Sequence, residues 1–256
     1  IHRGGLRMKR IVHGTPITPK RLLKQLKGCS FCVSYMNPEQ LDDCIELVGE
    51  DQILILDNGA FTAWRKGIEL NAEWWDGFYA WANEAMERCP QAVAVIPDVI
   101  GGSEEDNLML IAECIRGNKL RYPERAMAIW HMNESFEQLD KLCMMFNFVG
   151  WGSCGEFDIA KAKEGSAWHL RAKTALARID WLEMKTGKER PWVHMMRGLG
   201  QYQNWGWDSA DSCNLAINQC YTKNKYVNHV QQFNDRIQAK ANNQELAPLP
   251  LFEVAA

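Results

Sequence analysis

The feature that most constrains this 256-residue chain is a series of short apolar runs, each ending in turn residues or a carboxylate. Most of these runs are apolar throughout, which is typical of strands that are buried on both faces of a parallel sheet. About eight of them are predicted as strands: residues 10–14, 31–35, 53–57, 93–98, 126–131, 148–152, 192–197 and 207–211.

Segments with helical character separate many of the predicted strands. Residues 103–116 begin with Ser103 and three acidic residues, a pattern that favours the first turn of a helix. About eight strand–helix units in a chain of this length predict a single-domain (β/α)₈ TIM-barrel-like fold. A doubly wound open sheet is the alternative, although no glycine-rich nucleotide-binding loop follows any predicted strand. The other predicted helices are 38–48, 71–86, 133–145 and 158–186.

Charge and composition exclude several classes of protein. The chain has 29 basic and 32 acidic residues, so it is not a globally basic nucleic-acid binder, although a local basic strip could exist. No apolar run reaches the roughly 18 residues of a membrane-spanning helix, so no membrane partner is expected. The nine cysteines are irregularly spaced and lie mostly in apolar stretches, which indicates reduced thiols and a cytoplasmic location.

The domain boundaries follow from composition. Residues 8–241 are predicted to form the catalytic domain. Residues 1–7 are interpreted as an addition ahead of a natural start at Met8, and residues 242–256 as a C-terminal tail. The 11 tryptophans are more than a core of this size requires, so some are expected to line a concave site or an interface between copies of the chain.

Acidic side chains stand at the ends of several predicted strands. Asp57 and Asp98 each follow an apolar run, and Asp208 or Asp211 does the same at the last one. In a parallel barrel these positions meet on the catalytic face, where carboxylates can bind a cation, transfer protons or attack an electrophile. The structural alternative is that each aspartate caps a helix or forms a turn.

Two glycine-rich segments also follow predicted strands. Gly150 and Gly152 flank Trp151, and Arg197 precedes a Gly-Leu-Gly sequence. Glycine would allow a flat ligand to approach the backbone, with aromatic side chains stacking on its faces. Tight strand-to-helix turns, however, require glycine in any case.

The order of these motifs resembles the tRNA-guanine transglycosylase superfamily, most closely its short members that exchange guanine in DNA for 7-deazaguanines. The similarity covers about residues 50–215. The superfamily's zinc-binding cysteines have no counterpart, and the lone pair Cys29 and Cys32 overlaps a predicted strand, so no metal or other cofactor is expected. The motifs that carry the resemblance are residues 57–61, 97–99, 150–156, 197–200 and 211–213.

The resemblance implies a retaining base exchange through a covalent glycosyl-enzyme. Asp211 would attack C1′ of the nucleoside, Asp57 would act as the general acid/base, and a 7-deazapurine such as preQ0 or preQ1 would enter. The residues expected to bind the base and its surroundings are Asp98, Phe61, His131, Gly150, Trp151, Gly152 and Arg197.

The same resemblance implies DNA as the partner, with tRNA as the alternative polymer. Phosphates would be contacted by basic residues such as Lys161, Lys163, Arg171 and Lys173. The tail segment 249–252 is similar to peptides that bind the bacterial sliding clamp. Two further alternatives stay open: a nucleoside or base hydrolase, and a non-catalytic barrel that binds nucleic acid or a protein partner.

Overall fold

Eight parallel strands close into a barrel in chain order, so the predicted (β/α)₈ fold is confirmed. The structure is a computed structural model that describes residues 9–153 and 155–213. The strands are β1 (Arg10–Gly14), β2 (Ser30–Ser34), β3 (Leu54–Asp57), β4 (Ala92–Val95), β5 (Ala126–His131), β6 (Phe148–Gly152), β7 (Trp192–Met195) and β8 (Ser209–Ser212).

Seven α-helices are described around these strands. They are α1 (Lys20–Leu23), α2 (Leu41–Leu47), α3 (Ala60–Lys66), α4 (Ala72–Arg88), α5 (Glu104–Arg116), α6 (Phe136–Met145) and α7 (Ala167–Thr186). The acidic start of α5 forms a full capping box between Ser103 and Asp106, as its sequence indicated. The helix predicted from residue 158 begins only at Ala167, because the Ser166 hydroxyl caps its first turn by accepting the His169 N–H.

Strands β2, β4, β7 and β8 end at other residues than predicted, and the differences at β4 and β8 bear on two candidate aspartates. β4 ends at Val95, before Pro97, which has no N–H for the ladder, so Asp98 lies in the following loop. β8 begins at Ser209, with Trp207 buried ahead of it, so Asp211 lies within the strand.

Side chains of the strands alternate between two apolar layers. A small cluster that includes Ile55, Val95 and Ile129 fills the barrel interior, and a larger one lies between the barrel and its helices. On β6, Gly150 faces inward, where an added Cβ would lie 2.5 Å from Ile129 Cδ1. Trp151, the next residue, faces outward into the helix layer, because successive strand residues point to opposite faces.

Four of the 11 tryptophans form one buried group in this outer layer. Trp130, Trp151, Trp168 and Trp207 are each fully buried, and edge-to-face contacts connect them into one column. The tryptophan content therefore reflects packing beneath α6 and α7 more than it reflects a ligand site.

The described residues contain no helix long and apolar enough to cross a membrane. The boundaries predicted at residues 7 and 241, and the clamp-binding peptide predicted at 249–252, lie outside the described residues.

Candidate active site

The carboxyl ends of the strands surround a cavity of about 1080 Å³. This is the end of the fold where barrel enzymes place their active sites. Seven of the nine predicted site residues line it: Asp57, Phe61, Asp98, His131, Gly152, Arg197 and Asp211.

Asp57 is the last residue of β3 and sits among the other carboxylates of the cavity. Its pKa is raised to about 6, chiefly by burial and also by the charges of Asp98 and Asp211, while hydrogen bonds from Ser34 and Gly59 partly offset the rise. Its carboxyl group therefore exchanges a proton close to neutral pH, as a general acid or base requires.

Asp98 is held on two sides by buried partners. Asn58 Nδ2 donates to Asp98 Oδ1 at 2.8 Å and to the Ile96 carbonyl at 2.9 Å. His131 Nε2 lies 3.0 Å from Asp98 Oδ2. Burial, the largest single cause, lowers the pKa of His131, but the hydrogen bond and charge of Asp98 together with the charge of Glu134 outweigh it, and the net shift is upward. Asp98 and His131 thus form a buried pair in which the contact favours the protonated form of His131.

Two residues that the sequence analysis missed orient this pair. Glu134 Oε2 accepts the His131 backbone N–H at 3.1 Å, and Asn107 Nδ2 donates to Glu134 Oε1 at 2.8 Å. Asn107 Oδ1 accepts the Val99 N–H at 2.7 Å. The loops after β4 and β5 are therefore connected through one buried amide and one buried carboxyl group. The only sequence signal for this network was a polar residue on the inward face of α5.

We expect Asn107→Ala to lower the free energy of unfolding by about 1–3 kcal/mol, because Glu134 Oε1 and the Val99 N–H would be left buried without these partners. Urea denaturation measures the loss, and Asn147→Ala, which removes an exposed bond to the Glu124 carbonyl, is the matched control. Equal midpoints for the two variants would contradict the network's role in holding the loops.

Asp211 is positioned by the backbone of one neighbour and the side chain of another. Its Oδ1 accepts the Arg197 N–H and lies 3.3 Å from His194 Nε2. His194 Nδ1 in turn lies 2.8 Å from Ser209 Oγ, which accepts the Trp192 indole N–H at 2.7 Å. Because indole only donates, the Ser209 hydroxyl keeps its own proton available for His194 Nδ1.

His194 is fully buried within the barrel. His194 was not among the predicted site residues, and its neighbour Asp211 lies 17 positions farther along the chain. The structure places its Nε2 beside the Asp211 carboxylate, within ion-pair distance.

Arg197 adopts a left-handed backbone conformation, with φ of 58°, which is unusual for a residue other than glycine. Its guanidinium donates to the Ser153 carbonyl at 2.6 Å and lies 4.0 Å from the centre of the Phe61 ring. Backbone strain of this kind concentrates at functional sites, where surrounding contacts maintain it.

Several predicted site residues lie elsewhere. Trp151 and Gly150 do not line the cavity, because one faces the helix layer and the other the packed barrel interior. Asp208, the alternative to Asp211, accepts the Val193 N–H at 2.8 Å and pairs with Arg190 at 3.4 Å, so its role is structural. Arg171 donates to the carbonyls of the loop after β5, so it is not a free phosphate ligand.

The described thiols near the cavity are poor nucleophiles. Burial raises the pKa of Cys32 well above its ordinary value and that of Cys213 to about 11. In residues 9–153 and 155–213 no group of three or more His, Cys, Asp or Glu residues is arranged to hold a metal ion.

Comparison with known proteins supports the class of fold. No family model matches this chain, and no curated protein sequence matches it. Tryptophan synthase from M. tuberculosis, in its open form, is 10% identical over 92% of this chain and 93% of its own, with a TM-score of 0.50. An aminoacrylate-bound form of the same enzyme is also 10% identical, over 92% of this chain and 94% of its own, with a TM-score of 0.50. N-acetylneuraminate lyase from Mycoplasma synoviae is 14% identical over 93% of this chain and 78% of its own, with a TM-score of 0.45.

These findings correct the family resemblance drawn from the sequence. The solved structures found here at a TM-score of 0.50 are forms of tryptophan synthase, not tRNA-guanine transglycosylases, and no family model supports that assignment. The predicted exchange of guanine for 7-deazaguanine in DNA is therefore wrong, and the pentosyltransferase class is unsupported. Aspartates and glycines at strand ends recur in barrels of many functions, because turns and catalytic faces both require them.

Proposed function

We propose that this chain is an enzyme that catalyses proton transfer on a small polar substrate held in the mouth of the barrel. The observation that carries the proposal is the convergence of Asp57 and Asp211, from strands β3 and β8, on one cavity in which the pKa of Asp57 is raised to about 6. Asp57 can donate a proton near neutral pH, and a second carboxyl group in the same cavity supplies a site that can accept one.

Each residue has a distinct part in this chemistry. Asp57, protonated, donates a proton to the substrate, and Asp211, held by Arg197 and His194, removes one. Asp98, paired with His131, presents an acceptor to a hydroxyl or amino group of the substrate. A reaction in which one proton leaves and another is returned at a neighbouring atom needs only these groups. Reversible elimination and isomerisation belong to this class.

Proton exchange with solvent provides the test, because it needs no knowledge of the product. Compounds that raise the melting temperature in a panel of hydroxy acids, amino acids and sugars would be incubated with the protein in D₂O. Proton NMR would then follow the loss of a substrate C–H signal. We expect exchange with the wild-type protein and with Asp42→Asn, a substitution at an exposed carboxylate on α2. We expect none with Asp211→Asn.

The rate should also depend on pH in a defined direction. Asp57 serves as an acid only while protonated, so the rate should fall as pH rises through about 6. Bound compounds that exchange no proton in the wild-type protein, or equal exchange in Asp211→Asn, would contradict the proposed function.

A further inference from the structure

The mouth of the cavity carries positive charge above the acidic floor. Arg65 and Lys66, in the last turn of α3, line the cavity together with Arg197. All three are exposed at the mouth, whereas Asp98 and Asp211 are buried below them. The site therefore separates charge along its depth, with carboxylates at the bottom and cations at the entrance.

These cations differ from the paired basic residues that connect the helices. Arg88 pairs with Asp42 at 2.6 Å and Arg178 with Asp140 at 2.7 Å. In the part of the chain that the structure describes, no carboxylate pairs with Arg65 or Lys66. The Arg197 guanidinium rests on a backbone carbonyl and the Phe61 ring, contacts that leave its charge uncompensated.

We propose that this mouth binds a phosphate group carried by the substrate, an inference that rests on the proposed function of the same cavity. An anion placed near Asp57, Asp98 and Asp211 would be repelled, so the anionic end of a ligand must point outward. Three cations suit a phosphate ester, which offers several acceptor oxygens and up to two charges, and the arginine fork matches phosphate geometry.

The size of the cavity agrees with this orientation. At about 1080 Å³ it is large enough for a phosphorylated sugar or a nucleotide. The donor-rich hydroxyl or amino end would lie against the carboxylates, and the phosphate would lie against α3 and the loop after β7. Phe61, between the two levels and beneath Arg197, would pack on the middle of the molecule.

Binding measurements with matched probes test the proposal. We would titrate inorganic phosphate, ribose and ribose 5-phosphate, following the arginine Nε–H signals by NMR and the affinity by calorimetry. Inorganic phosphate is expected to bind, and ribose 5-phosphate should bind at least about tenfold more tightly than ribose, as charge-assisted hydrogen bonds imply. Raising the salt concentration should weaken the binding of inorganic phosphate and of ribose 5-phosphate and leave the binding of ribose unchanged.

Variants assign the effect to the mouth of the cavity. We expect the double variant Arg65→Ala with Lys66→Ala to bind ribose 5-phosphate about tenfold more weakly than the wild-type protein. The separate variant Arg197→Ala should show a loss of affinity of the same size. Lys185→Ala removes a cation from α7 that lies over Trp181 and should change nothing. Failure of inorganic phosphate to bind, equal affinity for ribose and ribose 5-phosphate, or wild-type binding in both mouth variants would overturn the proposal.

Two additional experiments are needed. One distinguishes a phosphate in a polymer from a phosphate in a free metabolite, and the other tests phosphate binding independently of catalysis. A short single-stranded oligodeoxynucleotide that binds more tightly than ribose 5-phosphate, and that loses affinity in the mouth variants, would place the phosphate in a polymer. The reverse order would place it in a free metabolite. Asp211→Asn should retain phosphate binding while losing proton exchange. If phosphate binds through the mouth and no proton exchanges in the wild-type protein, the catalytic proposal alone fails.

Discussion

Asp57→Asn is expected to reduce turnover by about 10²- to 10⁴-fold while making the folded protein more stable above pH 6. The loss of rate follows from removing the group that donates the proton. The gain in stability follows from removing a carboxylate that the fold buries beside two others. Few substitutions separate function from stability in this way, because most losses of activity accompany losses of stability.

The direction of the stability change depends on pH. The pKa of Asp57 is about 6 in the folded chain and 3.8 in its unperturbed state. Above pH 6 the group is ionised in both states, and the folded state bears the full cost of the buried charge. Below pH 3.8 the carboxyl group is protonated in both states, and the cost of burying its charge disappears. The gain at pH 8 should be on the order of 1–3 kcal/mol, and it should vanish near pH 3.

Urea denaturation at the two pH values measures this change, and Asp42→Asn is again the control because its side chain is 75% exposed. An Asp57→Asn protein that is less stable than wild type at pH 8 would show that the carboxylate is a structural partner of Ser34 and not a strained catalytic group.

Trp151→Ala is expected to lower the free energy of unfolding by about 3–5 kcal/mol. The indole is fully buried and makes edge-to-face contacts with Trp130 at 5.5 Å and Trp207 at 6.2 Å. Removing it would open a large cavity in the middle of the aromatic column beneath α6 and α7. The matched control is Trp64→Ala, because Trp64 is 53% exposed on α3.

Denaturation and ligand binding together decide the role of Trp151. The packing role predicts a large loss of stability, with ligand affinity retained wherever the variant is folded. A variant of nearly wild-type stability that no longer binds ligand would return Trp151 to the site, as the sequence analysis had placed it.

The catalytic face was predictable because strand ends can be identified from sequence. Asp57 and Asp98 follow runs so apolar that both faces must be buried, and parallel strands bring their carboxyl ends to one rim. Helix α3 was missed, since its seven residues are too few to show a period. Its boundaries carried a signal nonetheless: Gly59 and Gly67 both adopt positive φ at its two ends.

The supporting residues were not predictable in the same way. Asn107 and Glu134 are 27 positions apart, and His194 and Asp211 are 17 apart, so neither pair forms a local motif. Each depends on the register of neighbouring strands and on a loop that follows one of them. A buried polar residue acquires its role only when its partner is brought within hydrogen-bonding distance.

The sequence by itself determined the barrel, because eight apolar runs separated by helices leave few ways to bury both faces of a parallel sheet. It also placed Asp57 and Asp98 on the rim, and it left Asp208 and Asp211 as alternatives at the last strand. Only the tertiary structure decided which way each side chain points. Neighbouring residues of a strand point to opposite faces, so one can line the cavity while the next is packed in the core. Gly152 therefore lines the cavity, whereas Trp151 packs between the barrel and its helices.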